Sequence, residues 1–391
     1  MRNHMAKKGG LSKIACKKAK SLRPSPTDIR PASGVRQTNC HPVVAGGDAM
    51  GSMGREDGWL NGRPLGGLPR GRGMVYGELP WEVRGACVLP GRGVQAERSF
   101  PCFAAGRRYT DLKFLLYGPD RELGDGRERA PVLVFLHAAS ESGLDLQRLG
   151  IQGVPKLLVA QNNEETHLPE WSVLPGEACR ESIRSLRSKF AVICPQCRGE
   201  GRWGMVAPGG WGAPHMVEAV LSLISGVLEA NAGRVDPSRI YVTGAGMGGA
   251  GCWELAEAAL RYEKCPVRFA AVVPICGWVH PGDLADVELR RRRVARAMRE
   301  GRCAAWLWHA QNDRCVHVGE SDAMFQALED EGAVARYTRM EWADARDPNW
   351  RMAGRGMAQD QHGHAAWVDA YERHGAALWA WLLSHRAEPS L

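Results

Sequence analysis

The stretch that decides the fold is Tyr241-Val242-Thr243-Gly244-Ala245-Gly246-Met247-Gly248-Gly249. Its first residues are typical of a buried strand, and residues 247–261 carry apolar side chains at helical spacing. The glycines between the two permit an abrupt turn, because glycine has no Cβ to clash with the neighbouring backbone. Two interpretations of this strand–turn–helix compete.

The first interpretation is a dinucleotide-binding loop, since Gly244-x-Gly246-x-x-Gly249 fits the G-x-G-x-x-G fingerprint. That fingerprint normally follows the first strand of its domain, whereas at least three predicted strands precede it here. It also needs an acidic residue at the end of the next strand to bind the ribose. The next predicted strand, within residues 270–276, ends without an acid, which disfavours dinucleotide binding.

The second interpretation is the nucleophile elbow, G-x-S-x-G, which raises its central side chain above the sheet at a helix N-terminus. The helix dipole and free N–H groups there favour a developing anion. Gly244 and Gly248 are the flanking glycines of this pattern, and the serine position is occupied by Gly246. The motif therefore predicts a site for nucleophilic catalysis that lacks its nucleophile.

Two later residues support the elbow. Asp313 follows the predicted buried strand at 304–309, and His364 precedes the closing helix. The order 246, 313, 364 is the order nucleophile, acid, histidine of this kind of site. Taken alone, Asp313 could be an ordinary loop acid and His364 a surface histidine. His362 is a competitor for the role, although the spacing to Trp367 favours His364.

The surrounding pattern predicts an α/β domain over residues 105–391, with a mostly parallel sheet covered by helices on both faces. Strands are expected at 111–117, 132–137, 190–194, 239–243, 269–274, 304–309 and 335–342. Helices are expected at 216–228, 247–261, 320–331 and 374–385. The alternating first strand is expected at an edge of the sheet. Residues 140–189 have no clear pattern and could form a pocket wall or lid.

These motifs resemble the esterase branch of the α/β-hydrolases, which includes poly(3-hydroxybutyrate) depolymerase-like, feruloyl-esterase-like and phospholipase/carboxylesterase-type proteins. The matching stretches are Val134–His137 with Glu141, 194–197, Asp236–Gly244, Met247–Gly251, Val273–Gly277, His309 with Asp313, and His364 with Trp367. The resemblance implies an α/β-hydrolase fold and hydrolysis of a carboxylic ester, without cofactor or metal. It also implies Asp313 as the orienting acid, His364 as the base, and an oxyanion hole from the backbone N–H groups of Ala138 and Met247.

Two residues depart from the family pattern. Gly246 removes the nucleophile, so a catalytically impaired pseudoenzyme that binds a small-molecule ester or acyl ligand is expected. The alternative is weak hydrolysis in which His364 acts as general base on a water. Ala138 replaces a glycine and would be strained if its φ were positive.

Trp203, Trp211 and Trp278 fall on loops where ligands bind in such sheets. They either line an acyl pocket or pack in the core. Trp203 and Trp278 are the predicted substrate-binding residues.

The N-terminal part has a different character. Residues 1–108 contain 19 Lys/Arg and 7 Asp/Glu, against 32 and 36 in the remainder. We expect residues 1–104, rich in Gly and Pro, to form a disordered basic segment. It is either a solvated tail or import segment, or an arm that contacts nucleic acid or an anionic surface. A nucleic-acid-associated protein is therefore a third functional hypothesis, and Arg70-Gly71-Arg72-Gly73 favours RNA.

The remaining sequence signals concern location and thiols. No run of about 18 apolar residues and no secretory signal is visible, so an intracellular location, cytoplasmic or organellar, is expected. The 12 cysteines have no disulfide spacing and are expected to be reduced. The pair Cys194-Pro195-Gln196-Cys197 could be a redox pair or half a zinc site. Because no second such pair supplies two more ligands, a structural role is favoured.

Overall fold

The computed structural model describes residues 59–60, 63–64, 81–104, 107–124, 126–159, 176–198, 210–262, 264–280, 286–343 and 363–388. By its internal contacts the chain divides into two units, Met1–Gly54 and Arg55–Leu391, and every described residue belongs to the second. A two-residue hairpin pairs Trp59–Leu60 with Arg63–Pro64. Among the described residues, no helix combines the length and apolar content that crossing a membrane requires.

The second unit is built on an 8-stranded sheet. Its strands are β1 (Gln95–Ala104), β2 (Arg107–Tyr117), β3 (Ala130–Leu136), β4 (Ala191–Pro195), β5 (Val235–Ala245), β6 (Phe269–Ile275), β7 (Ala304–Ala310) and β8 (Ala335–Met340). Their order across the sheet is β8-β7-β6-β5-β3-β4-β2-β1. Strand β2 pairs antiparallel with both β1 and β4, and all the other pairs are parallel. The sheet is therefore mostly parallel, and the predicted α/β fold class is confirmed.

Helices cover both faces of this sheet. They are α1 (Trp81–Cys87), α2 (Gly153–Val159), α3 (Glu177–Lys189), α4 (Pro214–Ala230), α5 (Met247–Arg261), α6 (Val287–Glu300), α7 (Gly319–Asp330), α8 (Ala366–Val368) and α9 (Gly375–Leu383). Buried residues of α1 and α4–α7 form one core, and those of α2, α3, α8 and α9 form another. Along β3 the side chains alternate between these cores, with Val134 in the first and Phe135 in the second. Both faces of the central strands are therefore buried.

The boundary predicted between residues 104 and 105 falls too late for the sheet. Helix α1 and strand β1 both lie before it, and β1 is the outer strand that pairs along β2. Strand β2 is consequently not an edge strand, contrary to expectation. The apolar signal of β1 is sparse, since Phe100 and Cys102 are the buried residues of its described side chains. The expectations about disorder and nucleic-acid contact before residue 81 lie outside the described residues, apart from the short hairpin.

Helix α6 was also not predicted. It begins after Asp286, whose carboxylate accepts hydrogen bonds from the N–H groups of Glu288 and Leu289. Its inward face includes Arg290 and Arg291, which are buried and paired with acids on neighbouring helices. A helix that buries arginines through ion pairs lacks the apolar periodicity on which sequence prediction depends.

Backbone packs directly against backbone where β3, β5 and α5 meet. A Cβ on Gly248 would lie 1.9 Å from the carbonyl oxygen of Leu136, and one on Gly244 would lie 2.5 Å from the same oxygen. Gly249 and Gly277 pack against each other with similar closeness. The start of α5 can therefore reach the ends of β3 and β6 only because these positions are glycine.

We predict that Gly248→Ala lowers the free energy of unfolding by at least about 1–3 kcal/mol, because a Cβ there forces backbone to move. The matched control is Gly150→Ala, where an added Cβ has nothing within 4 Å. That change should stay within about 0.5 kcal/mol of the unmodified chain. Urea unfolding of the three proteins measures both effects, and equal stabilities would show that the junction tolerates a side chain.

Candidate active site

The predicted elbow is a sharp turn between β5 and α5. Gly246 has φ +54° and ψ −113°, a backbone conformation that side-chain-bearing residues rarely adopt. Its N–H donates to the carbonyl of Ile275 at 2.8 Å, and its own carbonyl accepts from the Ala250 N–H at 3.0 Å. The turn thus has a backbone conformation that would strain a residue with a side chain, and its central residue is glycine.

His364 faces this turn. Its Nε2 lies 2.9 Å from the position that a Cβ on Gly246 would occupy, and its Cε1 lies 3.4 Å from that position. Within the described part of the chain, Nε2 has no hydrogen-bond partner. The ring also packs edge-on against Trp367, with the ring centroids 5.8 Å apart. The imidazole therefore occupies part of the space that a serine side chain would need.

The neighbouring Gly363 holds His364 against the loop that carries the acid. A Cβ on Gly363 would lie 2.4 Å from the backbone nitrogen of Asp313, and its φ is +92°. With this close backbone contact, His364 Nδ1 hydrogen-bonds to Asp313 Oδ2 at 2.8 Å. The competitor His362 lies outside the described residues. The structure thus brings Gly246, Asp313 and His364 together at one end of the sheet.

Asp313 is completely buried at its side chain and accepts several hydrogen bonds. Oδ1 accepts from the backbone N–H groups of Cys315 at 2.7 Å and Val316 at 3.0 Å. Oδ2 interacts with His309 Nε2 at 3.2 Å as well as with His364. Burial alone would raise the pKa of Asp313, but the hydrogen bonds from His309 and His364 and the backbone outweigh it and hold the pKa well below its ordinary range. The carboxylate is therefore ionised and fixed in orientation.

His309 supports the acid from the opposite side. Its Nε2 also lies 3.0 Å from the carbonyl oxygen of Val316, and its Nδ1 lies 2.8 Å from the hydroxyl of Ser321. Since Nε2 faces two oxygen acceptors, we infer that it carries the proton and that Nδ1 accepts from Ser321. In the sequence, His309 belongs to a matching stretch with Asp313, but no function was predicted for it. The four-residue spacing to Asp313 across a strand end was the available signal.

Cys276 lies within the matching stretch Val273–Gly277, where the sequence predicted no role for it. It is buried at the end of β6 with φ +48°, an unusual value for a residue with a side chain. Its Sγ lies 3.7 Å from the carbonyl oxygen of His364. Burial first, and then the nearby Asp313 carboxylate, raises the pKa of the thiol well above its ordinary value. Cys276 is thus a neutral thiol that packs beneath the acid and the histidine.

The predicted oxyanion loop follows β3. Ala138 has φ −75° and ψ 175°, so the replacement of glycine introduces no strain. Its Cβ lies 4.0 Å from the Cβ position of Gly246. On the helix side, Met247 is the first residue of α5, where backbone N–H groups have no intrahelical partner. Ala138 and Met247 therefore flank the turn.

His137 anchors that loop. Its Nε2 accepts from the Cys197 N–H at 2.9 Å, and its Nδ1 lies 2.6 Å from the Ala138 carbonyl, to which it donates. Trp211 donates from its indole nitrogen to the His137 carbonyl at 2.9 Å. Burial lowers the pKa of His137 to about 4, so the ring is neutral near pH 7. Cys197 and Cys194 are both buried and form no disulfide bond among the described residues.

The predicted tryptophans have different positions. Trp211 is 2% exposed and belongs to the core beside His137, so it packs rather than lines an open pocket. Trp278 is partly buried against the same core, and its indole nitrogen donates to His280 Nδ1 at 3.3 Å. Trp203 lies outside the described residues.

Glu141, at the end of the same loop, is a buried acid. Its Oε2 accepts from the Ser140 hydroxyl at 3.2 Å, and Gln196 donates to its backbone carbonyl at 2.9 Å. Burial raises the pKa of Glu141 to about 7, against the opposing effects of the Ser140 hydrogen bond, hydrogen bonds to the backbone and the charge of Arg148. An ionisable group that titrates near neutrality thus lies three residues from Ala138.

Potential metal ligands also surround Asp313. Ligand atoms of Cys276, His309 and Asp313 all lie within 4.8 Å of one another, and so do those of Asp313, Cys315 and His364. The two groups share the carboxylate of Asp313. In the first group, His309 Nε2 faces the Val316 carbonyl as well as Asp313. In the second group, His364 Nδ1 faces Asp313.

Comparisons with known proteins give structural likenesses only. No protein-family model matches the chain, and no curated protein matches its sequence. A thermostable esterase is similar with 23% identity and a TM-score of 0.49, over 75% of this chain and 63% of the esterase. The acylaminoacyl peptidase of Pyrococcus horikoshii (14%, TM-score 0.44) aligns over 74% of this chain and 41% of the peptidase. An arylesterase (14%, TM-score 0.42) aligns over 78% and 89%. The chain spans less than two thirds of the first two proteins.

We predict opposite pH effects from Glu141 and His137. The pKa of Glu141 is raised from 4.5 to about 7 in the folded state, so it reduces stability as pH rises through that window. The pKa of His137 is lowered from 6.5 to about 4, so it reduces stability as pH falls through that window. Glu141→Gln should therefore leave a protein that loses stability on acidification below about pH 6.5.

The measurement is urea unfolding between about pH 4.5 and 7, with Glu97→Gln, an exposed position, as the control for loss of one carboxylate. The stability of the unmodified chain relative to Glu141→Gln should decline as pH rises. Parallel pH curves for the two proteins would contradict the burial of an ionisable Glu141.

Proposed function

We propose that this protein is a catalytically impaired carboxylic-ester hydrolase that binds a small-molecule ester or acyl ligand beside Gly246. One observation carries the proposal. The Asp313–His364 pair is assembled at 2.8 Å, and Nε2 of His364 points at a turn with elbow geometry whose central residue has no side chain.

The chemistry of this arrangement is incomplete at one point. In a triad, the histidine removes a proton from the nucleophile, the acid holds the histidine in the required tautomer, and an acyl-enzyme forms. His364 can fill the role of the histidine, and Asp313 that of the acid. Gly246 offers no atom to form the acyl bond, so the covalent route is closed.

The binding half of the machinery supports an ester or acyl ligand. Ala138 and Met247 lie on the two sides of the turn, where backbone N–H groups can bind the oxygen of a polarised carbonyl. Ala138 is unstrained, and His137 fixes its loop through hydrogen bonds at both ring nitrogens. The expected ligand is therefore a carbonyl compound whose oxygen lies between these two residues.

We predict that Gly246→Ser hydrolyses short-chain p-nitrophenyl esters at least about 100-fold faster than the unmodified chain, because triad removal in other enzymes costs far more than that. The matched control is Gly246→Ala. It places the same Cβ beside His364 Nε2 and requires the same small retreat of the imidazole, yet it provides no hydroxyl. Only the serine variant should gain activity, and adding His364→Ala should remove the gain.

Other outcomes discriminate between the alternatives. If the unmodified chain already turns over esters and His364→Ala abolishes that activity, the water mechanism with His364 as general base replaces the proposal. If Gly246→Ser folds but shows neither turnover nor labelling by a serine-directed fluorophosphonate, the histidine and acid do not form a working pair. Thermal melts of all variants establish that each is folded.

A further inference from the structure

The acid of the candidate site lies beside a thiol that the ester chemistry does not use. Cys315 follows Asp313 by two residues, and the Asp313 Oδ1 bond to the Cys315 N–H folds the loop back on itself. The Sγ of Cys315, a carboxylate oxygen of Asp313 and a ring nitrogen of His364 all lie within 4.8 Å of one another. Cys315 is the one partly exposed thiol among the described cysteines, and the others are buried.

We propose that Asp313, Cys315 and His364 form a binding site for one Zn²⁺ ion, whose occupation separates the histidine from the acid. The ligand atoms would be a carboxylate oxygen, the Cys315 thiolate and His364 Nδ1. Zinc accepts this combination of oxygen, sulfur and nitrogen, and three protein ligands leave a fourth position for water.

The required movements are small. In a tetrahedral zinc site with bonds of about 2.0–2.3 Å, ligand atoms lie roughly 3.3–3.7 Å apart. The Asp313–His364 contact of 2.8 Å must therefore open by several tenths of an ångström, and the thiol must close by up to about 1.5 Å. The outer contacts of Asp313 hold it in place meanwhile, since His309 and two backbone N–H groups donate to it. Such supporting bonds are what orient the carboxylate ligands of metal sites.

Proton and charge accounting favour this group over its neighbour. His364 can pass its proton from Nδ1 to Nε2, which exposes a lone pair on Nδ1 without a change of charge. Cys315 releases one proton to solvent when it coordinates. The carboxylate and the thiolate then neutralise the two charges of the ion. His309 cannot act in the same way, because its Nε2 faces both Asp313 and the Val316 carbonyl and serves as a donor.

The surroundings attract a cation and give it access. The buried carboxylate of Asp313 has an oxygen within 4.8 Å of the Cys315 sulfur, so a negative charge lies beside the thiol. Cys315 is only partly buried, so an ion can reach this group from solvent.

Zinc would also change what His364 can do. With Nδ1 bound to the metal, the remaining ring proton sits on Nε2, and that nitrogen can no longer accept a proton from a hydroxyl or a water. This consequence rests on the proposed function, whereas binding itself does not. In the Gly246→Ser variant, zinc should inhibit ester hydrolysis reversibly, and a chelator should restore it.

The test measures metal binding directly, by titrating Zn²⁺ against a chromophoric chelator and by the thiolate-to-metal absorption of bound Co²⁺. The full chain carries Cys16→Ser and Cys40→Ser, which removes the thiols outside the described residues. We expect one ion per chain, with one proton released for each ion bound. Cys315→Ser keeps the backbone N–H and should weaken binding by more than the roughly 10–100-fold that a lost supporting bond costs.

Cys276→Ser is the matched control, because it removes the thiol of the neighbouring group. Binding that survives Cys276→Ser but is lost with Cys315→Ser, together with the absorption of a thiolate–Co²⁺ bond, supports the site. Loss with Cys276→Ser alone overturns it in favour of the buried group. Binding that neither substitution changes, or no binding in the micromolar range, also overturns it. These readouts do not depend on whether Gly246→Ser becomes active.

Discussion

The structure depends on a contact between backbones at the carboxyl end of β3. The carbonyl of Leu136 lies against Gly244 and Gly248 so closely that a single Cβ would displace it. This contact fixes how closely the start of α5 packs against the end of β3, and it therefore fixes the position of the turn at Gly246. It also places the loop after His137 beside that turn, since the loop starts one residue after the contact. A second contact of the same kind, between Gly363 and the backbone of Asp313, places the histidine.

The fold was largely predictable because its central strands are buried on both faces. Continuous apolar runs marked β3, β4, β6 and β7 to within two residues, and the stripe of α5 marked its bounds. Two of the elements that escaped prediction have few buried apolar side chains to mark them. Helix α6 buries Arg290 and Arg291 through ion pairs, and β1 buries few apolar side chains because it is the outer strand. Strand order across the sheet is also not a local property, which explains why β2 was taken for an edge.

The candidate site was predictable in its residues but not in its spacing. Chain order and strand ends pointed to Asp313 and His364, because parallel strands deliver their loops to one edge of the sheet. Sequence could not show that His364 lies close enough to Gly246 to occupy space that a side chain would take. It also could not show that Asp313 is held by His309 and lies beside Cys315. These contacts arise from how loops fold back, which depends on backbone turns rather than on apolar periodicity.

The conformation of Gly246 has a consequence for how such a site changes over generations. A serine held at φ +54° and ψ −113° carries backbone strain of about 1–3 kcal/mol, which an active enzyme tolerates because the strain serves its nucleophile. Glycine adopts the same turn at far lower cost. Replacing serine by glycine at such a turn therefore stabilises the folded protein. The reverse substitution would lower its stability, even where the acid and the histidine are still in place. The conformation of the turn therefore favours glycine over serine at position 246 on grounds of stability alone.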